Sequence, residues 1–120
     1  HTVRGAGYIR RIIDHLSNSP GYSSYLGFLD IRYGICLSHH ERWDGKGYPL
    51  GIREEAIPIP ARIVAVADTY DAIRGHRAYD LARSHEQAMR IIESESGRQF
   101  DPAVVGAFMA LEPLLADIPY

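Results

Sequence analysis

Two adjacent histidines, His39 and His40, stand near the start of the stretch LSHHERWDGKGYPLG, Leu37 to Gly51. An imidazole can hold a divalent metal or carry a proton near neutral pH. Neighbouring helical side chains point about 100° apart, so this pair does not chelate one ion as an i, i+4 pair would. It suits a helix end, where it faces the negative pole of the helix dipole, or a site with more than one metal. Asp68 is the most informative single residue, because it lies in IVAVADTYDAI, the most apolar helical stretch. A carboxylate buried there needs a partner. Val64, Ala65, Asp71 and Ala72 stand at helical spacing from it, and none is basic. Its partner is therefore a metal or a distant Arg, unless the side chain is exposed.

Other candidates carry less. Cys36 lies four residues before His40 and is a thiolate ligand or a buried apolar cysteine. Arg74, His76 and Arg77 cluster behind the apolar helix, to hold a phosphate or to face a helix C-terminus. His15, His76 and His85 have polar neighbours and read as surface residues. No Ser or Cys triad is in view, and the tyrosines form no stripe for stacking bases.

The elements that must position these residues are helical. Ile9, Ile12, Ile13 and Leu16 recur at i, i+3, i+4, i+7, and SNSPG ends that helix. YLGFLDIRYGICLSHH reads as a second helix, with Phe28, Leu29, Ile35 and Cys36 on its apolar side. Asp44-Gly45, Gly47, Pro49 and Gly51 break it into a stiff turn. ARIVAVADTYDAIRG is a third helix, apolar nearly all round and so expected to be buried. A capping box from Ser84 to Gln87 opens a fourth, which Gly97 stops. Asp101 as N-cap and Pro102 at the first position open a fifth, with Val105, Phe108 and Met109 on its buried face. With no alternating strand, the fold class is all-α, about five helices.

At 120 residues and 46% hydrophobic, the chain suits one globular domain. A net charge of -2 argues against a bulk grip on nucleic acid. No run reaches the ~20 apolar residues of a membrane span. A single cysteine allows no internal disulfide and fits a cytoplasmic setting.

The segments HHERWDGKGYPLGI, IPIPARIVAVADTYDAI and RAY closely resemble the second half of the HD-GYP domain, a bacterial branch of the HD phosphohydrolases. HTVRG at His1 and GRQFDPAVVGAF extend the resemblance over nearly the whole chain. It is most like the subgroup attached to response-regulator receiver domains. The resemblance implies an HD-domain-like helical bundle holding two or three divalent metal ions, iron or manganese. It also implies hydrolysis of cyclic di-GMP to pGpG and on to GMP. His1, His39, His40 and Asp68 match metal ligands, and Asp71 matches an acid near the metals. Arg77 matches a contact to substrate phosphate. Gly47, Tyr48 and Pro49 match the signature turn, which shapes the substrate site and is linked to diguanylate cyclase-type partners.

The family's namesake His-Asp pair lies upstream of the position matching His1. Residues 1–120 are therefore expected to be the C-terminal part of one HD-GYP domain, lacking its N-terminal helices, with little activity alone and an apolar face that a homodimer would cover. RAYD also places Asp80 where the family usually has Lys. The alternative in another class is a non-catalytic module that binds a partner protein or senses a cyclic dinucleotide.

Overall fold

The computed structural model describes residues 2–75 and 83–119. Within them the chain forms α1 (Thr2–Leu16), α2 (Ser23–Ser38), a 3-10 turn (Glu54–Ala56), α3 (Ile59–Arg74), α4 (His85–Ser94), α5 (Pro102–Ala110) and α6 (Glu112–Leu115). No helix among the described residues is long and apolar enough to cross a membrane.

α1 and α2 pack as an antiparallel pair. Arg10 pairs with Asp30 at 3.7 Å and lies over the Tyr33 ring, while Gly5 abuts Cys36. A Cβ on Gly5 would stand 2.5 Å from the Cys36 Sγ, so its lack of a side chain lets the helices approach. The pairing buries Ala6 and Ile13.

The main core lies elsewhere, among α3, α4 and α5, around Val66, Tyr70, Met89, Ile92, Phe100 and Val105. Sequence-encoded caps fix its helix starts. Ser84 Oγ accepts from the Gln87 amide at 3.2 Å, and the Gln87 side chain accepts from the Ser84 amide at 2.9 Å. Asp101 caps α5 by accepting from the Ala103 amide at 2.8 Å, with Pro102 in the first turn. Phe108 and Met109 are only partly buried beside Val105.

Several expectations about burial fail. α3 is not buried all round: α2, α4 and α5 all pack against it, yet Ile59 and Ile63 stay exposed. Phe28 on α2 is likewise exposed, its ring under the Arg32 guanidinium. Ile12 on α1 is also exposed. His85, expected at the surface, is buried because the capping box turns the first residue of α4 inward. There its Nδ1 pairs with the Tyr70 hydroxyl at 2.8 Å, and Nε2 stands 3.5 Å from Glu112 on α6.

Candidate metal and phosphate site

His39 caps the C-terminus of α2, and its amide still donates to the Ile35 carbonyl at 3.0 Å. The Nδ1 of His39 lies 2.8 Å from the same carbonyl. A carbonyl only accepts, so the proton sits on Nδ1 and the lone pair on Nε2. That arrangement orients an imidazole for a metal. His40 follows outside the helix, with ring centroids 4.1 Å apart. Burial pushes the His40 pKa down, His39 pushes it further, and Asp68 partly opposes them. Neutral His40 can act as a ligand.

The turn after the pair folds straight back onto it. The Tyr48 amide donates to the His40 carbonyl at 3.2 Å. The Tyr48 ring stacks on His40 at 5.0 Å between centroids. A Cβ on Gly47 would stand 2.5 Å from both the Arg42 nitrogen and the His40 carbonyl oxygen, so only glycine fits. Gly45 and Gly51 take positive φ, and the Tyr48–Pro49 bond is cis.

Sequence reasoning passed over the groups that brace this turn. Glu41 is buried, and its Oε1 accepts from the Leu50 amide at 2.6 Å. Arg42 grips Asp44 through Nε at 3.1 Å and a second nitrogen at 2.9 Å. This bond, helped by the Lys46 amide, lowers the Asp44 pKa from 3.8 to about 2. The Trp43 and Asp44 amides donate to the carbonyls of Gln99 and Arg98, tying the turn to the segment before α5. Arg62 spans the Ile57 and Glu55 carbonyls and Asp101. Glu41 offered one signal in the sequence, a carboxylate between a His pair and a glycine turn. The pairing of Arg62 with Asp101 offered none, since it crosses 39 positions.

Asp68 requires a correction. It is exposed, not buried, because the side of α3 that carries it faces a cleft open to water. That cleft, about 220 Å³, brings Asp68 together with His39, His40, Lys46 and Tyr48. A second groove, about 250 Å³, runs past Ile35, Cys36 and Val64 and shares His39 and Asp68. Cys36 is half-buried and lines the same groove as His39. Asp71 lies one turn beyond Asp68, exposed and outside the cleft lining. His1, His76, Arg77 and Asp80 lie outside the described residues.

Two imidazoles and a carboxylate suit a divalent transition metal in kind. Among the described residues, no three His, Cys, Asp or Glu side chains converge closely enough to hold an ion. The cleft thus offers metal-type donors from the end of α2 and from α3, together with an exposed cation, Lys46.

Comparison with known proteins agrees with this arrangement. A family model described as HD domain matches residues 8–104. A cyclic di-GMP phosphodiesterase of Vibrio cholerae is 53% identical over 71% of this chain and 17% of its own length. One from Thermotoga maritima is 44% identical over 98% of this chain and 29% of its own. The cyclic di-GMP phosphodiesterase response regulator RpfG of Xanthomonas campestris pv. campestris is 46% identical over 68% of this chain and 22% of its own. The chain therefore spans under a third of each of these relatives. With the family model covering most of its length and the HHERWDGKGYP turn folded against the histidine pair, the chain belongs to the HD domain family, in its HD-GYP branch.

Proposed function

We propose that this chain forms part of a metal-dependent phosphodiesterase that hydrolyses cyclic di-GMP to pGpG and GMP. The observation that carries the reading is the one cleft that His39, His40 and Asp68 share, lined also by Gly47 and Tyr48 of the turn. His39, His40 and Asp68, with His1, would hold two or three divalent ions, iron or manganese. Bound divalent ions supply Lewis-acid polarisation of the phosphodiester and activation of water.

The protein's own contribution is positional. His39 is locked in one tautomer by the Ile35 carbonyl. The Tyr48 ring holds the face of His40 and shapes the substrate wall. Asp71 is assigned a place beside the metals as a proton-handling acid, and Arg77 a contact to substrate phosphate. Tyr48 and Leu50, both more than half exposed, suit the turn for contact with a cyclase-type partner. Exposed Tyr8, Ile12, Phe28 and Ile31 on α1 and α2 support self-association, which sedimentation velocity checks. The setting assigned to this activity is the cytoplasm.

The test is turnover by the full-length protein loaded with manganese or iron, followed by chromatography of the nucleotides. Cyclic di-GMP should disappear as pGpG and GMP accumulate, and His40→Ala should reduce the rate at least a hundredfold. An intact substrate, or a His40→Ala variant as active as its parent, would refute the assignment.

A further inference from the structure

Most polar groups lining the cleft are already committed to the protein. Arg42 is held by Asp44, Glu41 Oε1 by the Leu50 amide, and the Thr69 hydroxyl by the Ala65 carbonyl at 2.8 Å. Two whole side chains of the lining, Lys46 and Gln99, are not, nor is the buried Oε2 of Glu41. Among the described residues, Lys46 Nζ enters no ion pair and the Gln99 carboxamide no hydrogen bond. Asp44, whose charge Lys46 feels at longer range, is spent on Arg42.

Both are nevertheless fixed by their backbones. The Lys46 amide donates to Asp44 Oδ1 at 3.1 Å, and the Gln99 carbonyl accepts from the Trp43 amide at 3.1 Å. A rigid frame thus presents an ammonium and a carboxamide to the space beside the histidine pair. Lys46 is exposed and Gln99 partly buried, so water alone meets their head groups and a ligand in the cleft can replace it.

We infer that Lys46 and Gln99 are substrate-gripping residues. Lys46 takes a non-bridging oxygen of the nucleotide phosphate, and Gln99 hydrogen-bonds a ribose hydroxyl or base edge. The inference rests on the hydrolase reading for the identity of the ligand. An ammonium on a phosphate oxygen is a charge-assisted bond, and Gln offers both donor and acceptor to a sugar or base. Lys46 is exposed, so its grip is screened by salt, whereas that of Gln99 is not.

The experiment is calorimetric binding of cyclic di-GMP at low and high salt, with turnover measured in parallel. It compares the full-length protein with its Lys46→Ala, Lys46→Arg and Gln99→Ala variants. Lys46→Ala should weaken binding about tenfold at low salt, flatten the salt dependence and raise KM more than it lowers kcat, while Lys46→Arg should restore most of the loss. Gln99→Ala should weaken binding severalfold at both salt concentrations. Parent-like affinity in both alanine variants would overturn the inference and leave the hydrolase reading standing. Binding that needs both residues but yields no product would uphold it and remove the hydrolase reading. No binding by the parent would overturn both.

Discussion

Gly47 shows how narrow the tolerance is at a single residue. Its α-carbon packs against the backbone of Arg42 and His40, atoms that cannot rotate away. Gly47→Ala should therefore displace the turn and lower stability by about 1–3 kcal/mol, read from the urea midpoint. It should also separate Tyr48 from His40 and cost activity beyond the stability loss. Asp44 gives a second prediction. Its folded pKa, depressed from 3.8 to about 2 by Arg42, means the ion pair stabilises the fold above about pH 4. That contribution is lost as pH falls from about 4 towards 2. Asp44→Asn should be less stable than its parent at neutral pH and should lose less stability across that interval, which denaturant titrations at successive pH values would reveal.

At the scale of elements, one side chain stitches the turn region to the core. Arg62 on α3 binds two carbonyls around the 3-10 turn and the carboxylate that caps α5. Both Arg62 and Asp101 are largely buried, at 12% and 7% side-chain exposure. Arg62→Ala should strand Asp101 beneath the surface and cost about 3 kcal/mol, measured by thermal or urea unfolding. The loss should extend to the cleft, since Gln99 and the turn depend on the same segment. The sequence made the ends of these elements legible: the Ser84–Gln87 box and the Asp101-Pro102 start are local patterns, satisfied within three residues. It could not reveal which faces are covered, because that depends on where the neighbouring helices lie.

Taken whole, the molecule is elongated, with extents of 49 × 30 × 30 Å. Its main core and its cleft are separate features that share Ala65. Metal removal should therefore act on chemistry and not on fold. Treatment with a chelator should abolish hydrolysis while far-UV circular dichroism stays within a few per cent of the loaded protein. A collapse of helix content on chelation would show instead that the ions hold the helices together.

The sequence by itself determined the helical class, the caps, the glycine-proline turn and the pairing of that turn with two histidines. All of these follow from contacts between near neighbours in the chain. Asp68 marks the limit. Its apolar neighbours imply burial, yet the helices packed on α3 leave this carboxylate exposed, in the cleft beside His39 and His40. His85 errs in the opposite direction, for polar neighbours surround a side chain that Tyr70 receives in the interior. Only the tertiary structure decided these two fates and brought Gln99 to the turn, because burial depends on which helix packs opposite.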